Sequence, residues 1–151
     1  MKNSNKISGH LLFKFSIFAF CLTLFSNFSF AQKVKDKFLD GKIFTTELTI
    51  KGAKKPKPEA DELSFKAGKF NSKFMKTENQ FKPGDYTVTV DSSSSDKTFA
   101  FECDSKSGDD EIMHWSGTIN GETIEGTATL SKKEKIKKEY NFSGTLKTKK
   151  K

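Results

Sequence analysis

The chain has 151 residues, 27 basic against 19 acidic, and every basic residue is lysine. That length suits a single domain. The 34% hydrophobic content is too low for a polytopic membrane protein, 16 phenylalanines are too many for a wholly disordered chain, and two cysteines are too few for a disulfide-stapled miniprotein.

The first segment reads as an address. Lys2, Lys6 and Lys14 come with no acidic residue and precede an apolar stretch, Phe15 to Phe25, of about 11 residues where a bilayer span needs ~20. Ser29-Phe30-Ala31 then sets small residues at the −3 and −1 positions of a cut before Gln32. This three-part pattern predicts a cleavable signal peptide over 1–31 and a secreted or periplasmic product. Phe20 stands before Cys21, where lipidation would need a small residue. The remainder, 32–151, is expected to be one β-barrel domain with no transmembrane span and a charge of 24 − 19 = +5. Cys103 is then the sole cysteine, so no intramolecular disulfide forms and the core must hold the fold.

Beyond the leader the pattern alternates with period two, and no window sustains a 3.6-residue apolar stripe. Phe44, Leu48 and Ile50 share one face of a first strand, with Thr45, Glu47 and Thr49 opposite. The lysine- and proline-rich stretch from Lys51 to Pro58 is a solvated loop. Leu63 and Phe65 mark a second strand, and Phe70, Ser72 and Phe74 a third beyond Ala67-Gly68. Tyr86, Val88 and Val90 share one face of a fourth strand, with Thr87, Thr89 and Asp91 opposite. Phe99, Phe101 and Cys103 do so in a fifth, which makes Cys103 a small buried hydrophobe.

Asn120-Gly121 is a strong hairpin signal, because both residues tolerate positive φ. Taken as the two loop residues, they set Ile119 opposite Glu122, Gly117 opposite Ile124, Trp115 opposite Gly126 and Met113 opposite Ala128. A last strand carries Ile136, Tyr140, Phe142 and Leu146 on one face. The remaining connections are short and polar, which favours an antiparallel up-and-down meander of about eight strands closed into a small all-β barrel. Ser116-Gly-Thr, Glu125-Gly-Thr and Ser143-Gly-Thr echo one another, and their glycines fall on the inner face, where they make room for a large neighbour, expected to be Trp115.

The run from Trp115 to Thr127, with Lys138-Glu-Tyr-Asn-Phe-Ser-Gly-Thr-Leu146, resembles the closing hairpins of small secreted lipocalin-like bacterial proteins. The likeness covers about the last third of the chain, and Leu39-Asp-Gly-Lys-Ile-Phe44 is compatible with a first strand of that class. The resemblance implies an up-and-down barrel. It carries over no binding residue, since position 43 is isoleucine where lipocalins proper have the tryptophan of Gly-x-Trp.

Eight strands enclose just enough space for their own side chains or for one small ligand. Dense packing is the expectation for so ring-rich an interior, and a small apolar pocket at one mouth is the alternative. If a ligand enters, the interior rings Trp115, Tyr86, Tyr140, Phe99 and Phe101 are its expected contacts. Catalytic chemistry finds no footing. His114 is the only histidine after the leader and is out of phase with Trp115, so it supplies neither a triad nor a metal set. The acidic run Asp104 to Glu111 departs from a calcium loop, with Lys106 where an oxygen ligand belongs. Lys51, Lys54, Lys55 and Lys57, and the tail from Lys147 to Lys151, can meet anions, but the lack of arginine argues against specific nucleic-acid recognition. The expectation is an exported, non-enzymatic, lipocalin-like barrel without cofactor or metal, binding a small apolar ligand or an anionic cell-envelope component. The alternative is a structural or interaction module of the envelope with a fully packed core.

Overall fold

The computed structural model describes residues 38–91 and 97–148. The expected signal peptide, 1–31, lies outside them. The elements in chain order are β1 (Ile43–Ile50), β2 (Glu59–Lys66), β3 (Lys69–Ser72), α1 (Lys73–Asn79), β4 (Gly84–Asp91), β5 (Thr98–Lys106), β6 (Glu111–Asn120), β7 (Thr123–Lys132) and β8 (Lys135–Leu146). Each strand pairs antiparallel with its chain neighbour, and β8 returns to β1 with Leu146 opposite Phe44. The sheet is therefore a closed eight-stranded up-and-down barrel.

Closure follows from the alternation. In β1 Phe44, Thr46 and Leu48 are buried while Thr45 and Glu47 are exposed, and β5 and β6 repeat the pattern with Phe101, Cys103, Met113, Trp115 and Ile119 inside. The centre is a stack of rings. Phe65 packs edge-on against Phe70, Tyr86 and Phe101 with centroids 5.2, 5.1 and 5.1 Å away. Trp115, fully buried, lies between Phe70 at 5.0 Å and Phe142 at 5.6 Å. Tilted and edge-to-face pairs of this kind add to the stabilisation from area burial alone. Leu39, also fully buried, plugs the end where β1 begins. Met75 and Phe81, at 2% and 4% exposure, join the core from α1 and its exit.

Three local expectations change. Phe74 is not a strand residue: the chain turns into α1 after Ser72, whose Oγ accepts a hydrogen bond from the Met75 N–H at 3.1 Å and caps the helix, while Gln80 ends it at φ 56. Seven helical residues are too few for a 3.6-residue stripe to stand out from alternation.

Second, the β6–β7 hairpin turns one residue later than Asn120-Gly121. Its loop residues are Gly121 and Glu122, flanked by the pair Asn120 and Thr123. Gly121, at φ +58, takes the first loop position, where a Gly-x turn needs it. Trp115 thus faces Ala128, not Gly126, and Gly117 faces Gly126. Partners move by two residues, so every side chain keeps its face. The observed register sets Ile119 against Ile124 inside the barrel, whereas the expected one would have put Glu122 there. The large neighbour of the glycine pair is accordingly Phe142, with Phe101 beside it.

Third, Ile136 faces outward. The β7–β8 register shifts between Leu130 and Ser131, so that Leu130 pairs with Lys138 but Ser131 with Ile136. This bulge at Lys137 reverses the alternation, and Ile136 is left 65% exposed.

Candidate functional site

A groove of about 700 Å³ opens at the mouth where β1 ends and β8 begins, opposite the Leu39 plug. Its floor is apolar: Leu48 and Ile50 from β1, Tyr140 from β8 and Phe74 from α1. Lys55, Lys57 and Lys138 stand on its rim against Glu59 and Glu78. The β1–β2 loop carries Lys55 and Lys57 because two prolines hold residues 51–58 out of the sheet, where all eight positions are exposed. A hydrogen bond from Lys51 N–H to Glu139 O at 2.8 Å and a Lys51–Glu139 ion pair at 3.6 Å fasten this loop to β8.

The helical wall of the groove is positioned by Asp61, an acid on the inner face of β2 and only 6% exposed. Its Oδ1 accepts from the Glu62 and Phe74 N–H groups at 2.7 and 2.8 Å, and its Oδ2 from the Ser72 hydroxyl at 2.5 Å. One carboxylate thus takes up a backbone donor of β2, a backbone donor at the start of α1 and the hydroxyl that caps the helix, and a helix start is where a negative charge is favoured. Alternation with Leu63 and Phe65 sets Asp61 on the inner face of β2, but nothing in the sequence shows the donors that receive its carboxylate.

Of the five residues expected to contact a ligand, Tyr140 lines the groove; Trp115, Tyr86, Phe101 and Phe99 do not. Trp115, Tyr86 and Phe101 lie in the packed ring stack, although the Trp115 indole N–H finds no acceptor among the described residues. Phe99 is half-buried at the plugged end, with its ring 5.4 Å from that of Phe38. Half-burial raises the Tyr140 phenol above its ordinary range by desolvation, so it enters the groove as a neutral hydrogen-bonding group. A second depression, of about 590 Å³, lies on the outside of the barrel and is lined by hydroxyl and amide side chains such as Thr118, Thr127 and Asn141 with Glu47 and Glu125. It offers only the edge of Phe142 as an aromatic surface and has no cation on its lining.

Ion pairs elsewhere on the barrel are local, such as Lys69 with Asp85 at 2.9 Å between β3 and β4. His114 Nδ1 lies 2.7 Å from Asp104 Oδ1 on the outer face, directly across β5 and β6, in an exposed pair worth about 0.2–1 kcal/mol. Among the described residues no group of three His, Cys, Asp or Glu side chains is placed to hold a metal ion, and no helix is long and apolar enough to cross a membrane.

Cys103 is 3% exposed, and burial pushes its thiol up to about 11, with the Cys103–Ser105 side-chain hydrogen bond partly opposing the rise. The folded state therefore favours the protonated thiol. That contribution is whole below the ordinary thiol range and is lost as pH climbs through about 11. A rise from the ordinary thiol value to about 11 corresponds to about 2–3 kcal/mol. The urea midpoint of the native protein is expected to fall over this alkaline window more steeply than that of a Cys103→Ala variant. Parallel curves for the two proteins would count against the burial argument.

The fold and the groove define a small closed antiparallel barrel, plugged at one end and grooved at the other. Comparison with family models, with curated proteins and with solved structures finds no match to this chain.

Proposed function

We propose that this is an exported, non-enzymatic barrel of lipocalin-like type that holds a small amphipathic molecule, apolar in its body and anionic at its head, in the groove at its mouth. The observation that carries the reading is the contrast between centre and mouth. The interior is filled by rings in mutual contact, whereas the mouth presents half-buried Phe74 and Tyr140 in a groove of about 700 Å³. Sites for small molecules combine such an apolar lining with a few placed polar groups. Here those are the Tyr140 hydroxyl and the ammonium groups of Lys55, Lys57 and Lys138. Export rests on the lysine-led apolar leader and its small-x-small ending before Gln32.

Anilinonaphthalene sulfonate, an aromatic body with one negative charge, is a suitable probe. Ala53 lines the groove from the exposed loop, so Ala53→Trp fills the space without entering the core. The native protein is expected to enhance the probe's fluorescence, and Ala53→Trp to weaken binding at least about tenfold, the loss of ~1.4 kcal/mol of apolar contact. Equal binding by both proteins would move the site elsewhere. Native mass spectrometry of protein taken from its own host then gives the mass of the natural occupant.

A further inference from the structure

We propose that the tip of the β7–β8 hairpin is a docking surface for an anionic lipid bilayer. The tip carries Lys132, Lys133, Lys135, Lys137 and Lys138; Glu134 lies in the turn and Glu111 on β6 is ion-paired with Lys132 at 3.9 Å, so five lysines against two acids leave 5 − 2 = +3. Lys132 and Lys135 face each other directly across the strands, and Lys133 and Glu134 form the turn with φ of 49° and 62°. Pairing of β8 with β1 ends at Tyr140, so Lys135 to Lys138 extend beyond the barrel wall with a strand on one side only. The lysines of the neighbouring loop extend the same field, because Lys55 and Lys57 share the groove rim with Lys138. Like charges gathered this closely repel one another, and an anionic surface relieves that repulsion.

Lysines on a free strand edge have a simpler use, which is to prevent sheets from joining edge to edge. Ile136 does not fit that use. The bulge at Lys137 turns it outward, 65% exposed in the middle of the lysines, where a regular strand would have pointed it inward. Ile112, 37% exposed, lies in the same cross-strand row, with Ser131 between them. A soluble polyanion gives an exposed isoleucine nothing, whereas a bilayer offers lysines its headgroups and isoleucine its acyl boundary. The use of lysine throughout suits diffuse attraction to a charged surface better than forked recognition of single phosphates.

This inference does not depend on the groove holding a ligand, and the two are separated by experiment. The purified protein is sedimented with vesicles of phosphatidylcholine alone and with vesicles that also contain phosphatidylglycerol, at low and high salt. Binding is expected only to the anionic vesicles and to be released by salt. Each lysine near such a surface is worth about fivefold in partitioning, so Lys133→Glu, Lys135→Glu and Lys137→Glu together should lower it at least about a hundredfold. Ile136→Asp should lower it about tenfold. The exposed positions leave the core unchanged, which the near-ultraviolet signal of Trp115 verifies, and Ala53→Trp should bind vesicles like the native protein. Absence of binding to anionic vesicles overturns the proposal, as does an Ile136→Asp variant that binds normally. Loss of vesicle binding in Ala53→Trp overturns it too, by placing lipid in the groove. Tighter binding to heparin or DNA, indifferent to Ile136→Asp, overturns it in favour of a soluble polyanion.

Discussion

Replacing Gly126 with valine is expected to destabilise the barrel by at least about 3 kcal/mol, at the upper end of what overpacking costs. A Cβ at this position would stand 2.6 Å from Gly117 Cα and 2.6 Å from Phe142 Cζ, and closer still to the Ser116 carbonyl oxygen. Two of those three contacts are backbone of the neighbouring strand, so a side-chain rotation does not relieve them, and shortening Phe142 should rescue little. Gly121 is the useful contrast. A Cβ there meets nothing within 4 Å, but φ is +58, so Gly121→Ala should cost only about 1 kcal/mol of backbone strain. Urea unfolding followed by the fluorescence of Trp115, the only tryptophan, reads both variants. Similar midpoints for the two would show that the close approach of β6 and β7 is not a constraint.

The same glycines mark how far the sequence could be read. Their inner-face position was visible because alternation fixes which side a residue takes, and that survives any error of two in register. Their partners were not visible, because Asn120-Gly121 and Gly121-Glu122 are both acceptable two-residue loops. The choice between them is made by burial, through the meeting of Ile119 with Ile124, and burial is a property of the closed sheet. Ile136 shows the converse: one extra residue at Lys137 silently inverts the phase, and nothing local to Lys135-Ile-Lys-Lys138 announces it.

The candidate site was legible in the same partial way. Tyr140 was placed inward by alternation and does line the groove, and the lysine loop was recognised as a solvated break between strands. Phe74 was missed as a wall residue because a short capped helix looks like the end of a strand. Asp61 was missed altogether, since what makes it special is a set of donors from residues 62, 72 and 74 that meet only after β2, β3 and α1 have come together.

Asp61→Ala is expected to release α1 from the barrel and to cost about 3 kcal/mol or more. The helix has seven residues, far below the ~12–15 at which an isolated helix becomes even marginal in water, so its stability is borrowed from its contacts. Met75 supplies an apolar anchor worth about 1.5–3 kcal/mol. The Asp61 carboxylate supplies the polar one, and its removal leaves the Phe74 N–H and the Ser72 hydroxyl without their acceptor at a cost of about 1–3 kcal/mol each where they stay buried. Fraying into water is the cheaper outcome for those groups. Hydrogen exchange should therefore show the amides of Lys73–Asn79 losing protection in Asp61→Ala while those of β5, β6 and β7 keep theirs. Because Phe74 and Glu78 leave with the helix, binding of the sulfonate probe should fall in the same variant even where the barrel is still folded. Asp61→Asn retains an oxygen for the two backbone donors and should lie between the two proteins in both measurements. If the α1 amides stay protected in Asp61→Ala, the apolar anchor alone seats the helix, and the wall of the groove owes nothing to the buried carboxylate.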